Sequence, residues 1–301
     1  MDDSQCVATG PTKSKTVCQD RRTQEKDAVS LGIFQGKSAI VTGGASGIGR
    51  ALGEELGRRS AIVILADLNE ALLEETVSSL AGKGYRVEGA TLDVTDFAAV
   101  KELVDVTISR HGRLDYMFNN AGIDMLGEAL DMSLDDWMRV IDVNLYGVVH
   151  GVAAAYPVMV EQGYGHIVNT SSLAGYFPVT GEISYTTSKY GVLGLSEVLR
   201  IEGEKYGVKV SVVCPGIIRT PIYENCEVVG FDREKVMALS PKGISPQRCA
   251  KIVLKGVERN RGIIPVTALA YAAWWLGRFA PRISRAINRR MLEAFRATRA
   301  G

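Results

Sequence analysis

Histidine is scarce. The 301 residues contain three, and no pair of them makes an HxxxH or HExxH spacing, which argues against a histidine-based metal centre. No metal site is expected. The five cysteines, Cys6, Cys18, Cys214, Cys226 and Cys249, are odd in number and form no CxxC pair. They describe neither a disulfide scaffold nor a zinc site, and they point to a reducing, cytoplasmic setting. Charge of one sign is also missing. Thirty-five basic residues against thirty-four acidic leave a formal +1, which argues against wholesale nucleic-acid binding. Long apolar runs are few. Residues 1–30 have no apolar core of the kind a secretory leader carries. Val143–Val160 is free of formal charge, but Asn144, His150 and Pro157 interrupt it, and it reads as a buried helix. The sixteen residues between Arg261 and Arg278, broken by Pro265, fall short of the about 20 that a span needs.

A composition of 46% hydrophobic and 23% charged residues is that of an ordinary globular chain with material for a core. Three zones follow one another. Residues 1–35 are polar, carry no hydrophobic period and predict a disordered extension. Residues 36–267 alternate short apolar runs with longer amphipathic stretches. Residues 268–301 are an arginine-rich tail. In the middle zone, strands are expected at 38–42, 61–67, 86–94, 114–120, 166–172 and 208–214, with a further one at 263–266. Helical stretches lie between them. Apolar strands separated by helices make a parallel sheet covered on both faces. The fold class is therefore α/β: a Rossmann-like, doubly wound sheet in a three-layer α/β/α sandwich, with an added amphipathic helical tail.

The first strand runs into Thr42-Gly43-Gly44-Ala45-Ser46-Gly47-Ile48-Gly49. Glycines there let the backbone approach a pyrophosphate, and the N–H groups opening the next helix face its charge. Such a turn is weak evidence alone, but here it stands between a strand and a helix as the motif requires. Asp67 ends the second strand, eighteen residues beyond Gly49. A carboxylate at that point can accept hydrogen bonds from the adenosine ribose and would repel a 2′-phosphate, so NAD is expected over NADP. Asp67 could also be a plain turn residue at a strand end.

Tyr185-Thr186-Thr187-Ser188-Lys189 sets a phenol and an ammonium four residues apart, on one face of a helix. A free tyrosine, with a pKa near about 10, is a poor base at neutrality; a neighbouring cation favours the phenolate and lowers that value. The pair suits general acid/base work on a hydroxyl proton.

With these residues in order, the sequence resembles the short-chain dehydrogenase/reductase family, in its compact single-domain branch, over about residues 36–267. TGGASGIG at 42–49 is similar to the family's cofactor turn, so the resemblance gives Gly43, Ser46, Gly47, Ile48 and Gly49 to the cofactor. Asp93 and Val94 resemble the pair beside the adenine ring. Asn120, Ala121 and Gly122 belong to NNAG, the family's motif after the fourth strand. Pro215, Gly216, Ile218 and Thr220 resemble the segment that packs on nicotinamide. The catalytic set implied is Asn144, Ser172, Tyr185 and Lys189. Tyr185 exchanges the substrate proton and Ser172 polarises the substrate oxygen. Lys189 holds the ribose and depresses the tyrosine pKa, while Asn144 keeps a water in the proton route. Ser171 is the alternative orienting hydroxyl, although alternation along a strand turns it to the other side. The resemblance also implies a homodimer or homotetramer, paired through helices near 135–162 and 185–206.

Substrate-facing segments are expected at Gly175–Ser184 and Ile217–Ser245. Tyr176, Phe177 and Val179 in the first, and Ile222, Tyr223, Val228, Val229, Phe231, Met237 and Leu239 in the second, either line a partly apolar pocket or pack a lid. No basic cluster marks a carboxylate or phosphate clamp, so a lipophilic secondary alcohol or its ketone is the expected substrate class. Alternatives are an NADPH-linked 3-oxoacyl reductase and a non-catalytic dinucleotide-binding regulator of the same fold. In the tail, Leu276, Phe279, Ile283, Ile287, Met291 and Phe295 recur at helical steps, with arginines at 278, 282, 285, 289 and 296 beside them. That stripe fits either peripheral contact with an anionic membrane, aided by Tyr271, Trp274 and Trp275, or packing on the domain or a partner subunit.

Overall fold

The computed structural model describes residues 32–239 and 243–300; of the extension expected over residues 1–35, residues 1–31 lie outside the described residues. Residues 32–35, which hydropathy assigns to that extension, belong to the folded domain. Gly32–Phe34 is a short 3₁₀ turn whose Phe34 is fully buried, its ring 5.0 Å from that of Tyr116 and beneath the Arg59 guanidinium.

Among the described residues nine strands follow: β1 (Ser38–Thr42), β2 (Ile62–Asp67), β3 (Arg86–Thr91), β4 (Tyr116–Asn119), β5 (Met125–Leu126), β6 (Gly165–Thr170), β7 (Val208–Cys214), β8 (Glu227–Val228) and β9 (Ile263–Pro265). Seven make one parallel sheet in the order β3-β2-β1-β4-β6-β7-β9; β5 and β8 pair separately, also in parallel. The strands expected at 86–94 and 114–120 are shorter than their apolar runs, because Asp93 and Asn120 already belong to the loops at their ends. The helices are α1 (Gly47–Arg58), α2 (Glu70–Ala81), α3 (Phe97–His111), α4 (Leu134–Ile141), α5 (Gly147–Gln162), α6 (Ile183–Glu204), α7 (Pro221–Glu224), α8 (Arg233–Ala238), α9 (Pro246–Glu258), α10 (Ala268–Phe279) and α11 (Pro281–Arg296).

Alternation along β1 shows why both faces had to be covered. Ala39 and Val41 pack with Leu52 and Leu56 of α1 and Val253 and Leu254 of α9, whereas Ile40 packs with Val104 of α3 and Met159 of α5 on the other side. The chain winds outward from β1 to β2 and β3, then crosses back to lay β4 on the far side of β1. Where successive connections diverge, the loops at the carboxyl ends of β1 and β4 leave a crevice.

A π-turn at Asp142–Tyr146 joins α4 and α5 into one continuous run of 29 residues, Leu134–Gln162. By length and composition this run could cross a membrane. Here Asn144, Val148, Ala155 and Met159 turn into the core, so the expected burial holds for one face. The run's first half also carries open apolar residues, Leu134 (75% exposed), Met138 and Tyr146, and α6 adds Val198 and Ile201 (73% exposed).

The tail is two helices instead of one, divided at Pro281, which has no N–H to continue the ladder of α10. Its stripe divides as well. Phe279, Ile283, Ile287 and Met291 stay open to solvent, while Phe295 turns inward, its ring 4.1 Å from that of Phe231 in a small cluster with Leu126, Cys226 and Val236. Arg296 pairs with Glu128 at 2.6 Å and Arg299 with Asp131 at 2.9 Å, so the chain end is strapped to the loop after β5. The Asp232 amide donates to the Thr298 carbonyl at 2.8 Å. Of the roles open to the tail, its inner side performs packing on the domain. Phe295→Ala should lower the local stability of this lobe by about 3 kcal/mol. Limited proteolysis then becomes faster between Glu227 and Leu239 while the main sheet stays folded; unchanged cleavage would show that the strap carries no load.

Candidate active site

The crevice at the sheet's switch point is a cleft of about 360 Å³. One end is built by the glycine turn. Gly43 sits at φ +64° and Gly47 at φ +51°, where a side chain is strained, and a Cβ on Gly43 would come within 2.9 Å of Ala121 Cα. Gly49 is packed behind the turn, outside the cleft wall, where a Cβ would overlap the Gly43 carbonyl oxygen. Asn120 ties the turn to β4 by donating from Nδ2 to the Thr42 carbonyl at 3.0 Å, and its amide donates to Thr42 Oγ1 at 2.9 Å. Asp67 lines the cleft and also does the work of a turn residue. Its Oδ2 accepts from the Ala45 amide at 2.9 Å and its Oδ1 from the Asn69 amide at 3.0 Å. The turn role is thus seen, and each carboxylate oxygen keeps a further lone pair free for a ligand.

Ser46, Ile48, Asp93, Val94, Ala121 and Gly122 line the same cleft, as do Pro215, Gly216, Ile218 and Thr220. Asp93 closes its own turn, Oδ1 accepting from the Thr95 amide at 2.9 Å. These residues fit a dinucleotide. The turn is a cradle that side chains would fill, Ser46 leaves the first amides of α1 without a side-chain cap, and a carboxylate stands at the end of β2.

Ser172, Tyr185 and Lys189 share the cleft wall. Lys189 Nζ donates to the Thr170 carbonyl at 3.0 Å and lies 5.3 Å from the Tyr185 ring centre. Alternation beyond β6 separates the two serines. Ser171 Oγ donates to the Lys189 carbonyl at 2.7 Å, bracing α6 against the sheet from within. Ser172 accepts from the Ala174 amide at 3.1 Å and holds a hydrogen bond to Tyr185. Asn144 is fully buried and outside the cleft wall. Its Oδ1 accepts from the Ile123 amide at 2.8 Å and its Nδ2 donates to the Ile123 carbonyl at 2.9 Å, so the side chain clamps the loop after β4. The π-turn that carries it is a bulge of the kind concentrated at functional sites.

Electrostatics depart from the sequence expectation at one point. Burial first, and then the Asp124 carboxylate, hold the Tyr185 phenol above its ordinary range; the Ser172 hydrogen bond works the other way, and Glu182 adds to the rise. Lys189 is not the influence that dominates the phenol. Burial lowers Lys189 itself to about 8, opposed by Asp124 and by Cys214.

Among the wall residues that the sequence reading did not single out are two acids, Asp124 and Glu182, the second inside the substrate-facing segment expected at Gly175–Ser184. Burial pushes Asp124 from 3.8 to about 7, against the Met125 amide and Lys189, which lower it. Burial and then Asp124 push Glu182 up. Glu182, Tyr185 and Lys189 fall at helical spacing, and that period was a usable signal. Asp124 had none. Conversely, much of the expected apolar lining is packing. Tyr176 donates its hydroxyl to the Ala270 carbonyl at 2.7 Å, and Val228, Phe231 and Met237 gather around Phe295. Ile222 and Tyr223 remain in the cleft.

A carboxyl whose pKa is raised on folding binds its proton more tightly in the native state. Its stabilisation is whole below the unfolded value and is lost as pH rises through the folded one, here between 3.8 and about 7. Asp124→Asn should therefore stabilise the protein at pH 8, by at most about 4 kcal/mol, and much less at pH 5. Thermal melts at the two pH values check this; an equal shift at both would place the carboxyl in water.

A family model described as short chain dehydrogenase matches residues 37–227. The chain is 36% identical over 254 residues to a protein called "Putative oxidoreductase SadH" from Mycobacterium tuberculosis, covering 82% of this chain and 92% of that one. It is 34% identical over 269 residues to "Probable oxidoreductase EphD" of the same species; that match takes in 86% of this chain but spans only 45% of the relative. Among solved structures, a short chain dehydrogenase/reductase from Burkholderia phymatum in complex with NAD superposes with a TM-score of 0.72 at 30% identity, over 81% of this chain and 93% of that one. A doubly wound sheet with a glycine-lined crevice defines a dinucleotide-binding α/β protein, and this chain belongs to the short-chain dehydrogenase/reductase family.

Proposed function

We propose that the chain is an NAD-dependent oxidoreductase that interconverts a secondary alcohol and its ketone, with Tyr185 as general acid/base. The observation that carries this is the convergence of Ser172, Tyr185 and Lys189 in the same cleft as the glycine turn and Asp67. When bound, the nicotinamide supplies or accepts the hydride. The protein's part is positioning and proton transfer. Ser172 donates to the substrate oxygen and Tyr185 gives or takes its proton at the phenol Oη. Lys189, held by the Thr170 carbonyl, keeps a cation beside the phenol. Asn144 fixes the Ile123 backbone and with it one wall of the cleft. The NAD bound by the Burkholderia relative supports a nicotinamide dinucleotide here, and the acid at Asp67 supports NAD over NADP. Ile222 and Tyr223 support an apolar substrate body. The open apolar residues of the α4–α5 run and of α6 support assembly into a homodimer or homotetramer, which sedimentation at micromolar concentration checks.

The test is a panel of secondary alcohols and ketones assayed with NAD and NADP separately, with turnover expected on NAD. Asp67→Asn keeps an oxygen for the backbone amides and removes the charge. At about 5 Å and an effective dielectric of about 20, that charge costs a 2′-phosphate roughly 3 kcal/mol. The NADP-to-NAD ratio of kcat/KM should thus rise about 10²-fold in the variant. A parent that prefers NADP would overturn the cofactor assignment and favour the NADPH-linked 3-oxoacyl reductase reading.

A further inference from the structure

Asp124 and Glu182 stand in the wall of the cleft beside Tyr185 and Lys189, and neither forms an ion pair among the described residues. Asp124 is only 9% exposed. Its one hydrogen bond among the described residues comes from the adjoining Met125 amide to Oδ1 at 2.8 Å, which leaves Oδ2 without a partner there. The Glu182 carboxyl makes no hydrogen bond among the described residues, although it occupies the position that caps α6. Both are rigidly placed. Asp124 follows Ile123, whose backbone Asn144 grips at both its amide and its carbonyl. Glu182 bridges in parallel to Gly127, whose amide donates to the Gly181 carbonyl at 2.9 Å.

Asp124, buried with a single donor, and Glu182, half-buried with none among the described residues, cost stability, and a hydrophobic pair of similar size would be cheaper for the fold. When ionised, Asp124 first and Glu182 less strongly also act against ionisation of the Tyr185 phenol, the opposite of what a base needs. Both costs vanish when a group that donates hydrogen bonds, or carries positive charge, enters the cleft between them. Perturbed, uncompensated acids in a reaction cleft mark ligand recognition more than packing.

We infer that Asp124 and Glu182 receive a second, hydrogen-bond-donating group of the substrate, a hydroxyl or an ammonium close to the reacting carbinol, so that the substrate is a diol or an amino alcohol (or the matching hydroxy- or aminoketone) on an apolar body. This rests on the alcohol–ketone reading above and narrows it. Asp124 and Glu182 are specificity residues in it; Tyr185 remains the proton donor and acceptor.

The experiment compares three alcohols of one skeleton with NAD: cyclohexanol, trans-1,2-cyclohexanediol and trans-2-aminocyclohexanol. The full chain is set beside Asp124→Asn, Glu182→Gln and the double variant, with a wider panel of simple secondary alcohols run alongside. The diol or the amino alcohol should exceed cyclohexanol at least tenfold in kcat/KM, and that ratio should fall at least tenfold in the double variant. Which of the two leads tells hydroxyl from ammonium. Cyclohexanol used as well as the others overturns the inference, and so does a ratio that survives the double variant. Oxidation of simple alcohols on the wider panel with none of the difunctional compounds accepted also overturns it, while leaving the alcohol–ketone reading in place. If no alcohol is oxidised although NADH still binds by fluorescence titration, that reading falls, and the inference with it.

Discussion

Tyr185→Phe abolishes most turnover, by about 10²–10⁴-fold, and leaves NADH binding intact. The ring that Lys189 faces at 5.3 Å is kept, as are the Lys189–Thr170 bond and the glycine turn, so the cleft retains its shape. What goes is the phenol hydroxyl, with its exchangeable proton and its Ser172 hydrogen bond. Without it the substrate oxygen has the Ser172 hydroxyl to polarise it but no group to give or take its charge-balancing proton. The loss therefore appears in kcat, with KM little changed. Steady-state rates on the best substrate of the panel, beside a fluorescence titration with NADH, check both halves. Near-parent turnover would remove Tyr185 from the chemistry and overturn the proton-transfer role proposed for it.

Gly49→Ala fails at the other end of the cleft. A Cβ at this position would overlap the Gly43 carbonyl oxygen and approach Asn120 Nδ2 at 2.8 Å. Those are the two groups that close the turn. Backbone must move, because neither is the free end of a flexible side chain, and the turn that would meet a pyrophosphate opens. NADH affinity should drop by at least about 10²-fold, some 2.7 kcal/mol. Far-UV circular dichroism is expected to be unchanged, since α1 tolerates alanine better than glycine. Normal NADH binding by this variant would show that the cofactor is seated elsewhere.

Much of this molecule was readable before any coordinates. The central sheet strands carry their own signal, because a strand covered on both faces is apolar throughout, as IVILAD and VKVSVVC nearly are, whereas the edge strand RVEGAT is more polar and open. The glycine turn and the Tyr185–Lys189 pair were legible because their parts lie within one turn or one helix face. Ser172 could be preferred to Ser171 by strand alternation, and Ser171 does face inward to the Lys189 carbonyl. The tail misled in one respect. Its helical period was real, but Pro281 reorients the second half and takes Phe295 out of the stripe to meet Phe231.

Local pattern thus determined the sheet, its winding and the spacing of the proposed catalytic residues, since each depends on neighbours within a few positions. Tertiary structure alone decided what stands beside them. Asp124 and Glu182 are 58 residues apart in the chain, and they share a wall only because β4 and α6 deliver their loops to the same crevice. Arg296 reaches Glu128 across 168 residues. No periodicity records such meetings. A contact between distant segments follows from how strands are ordered and helices laid over them, and a charge is perturbed by whatever the completed fold has buried around it.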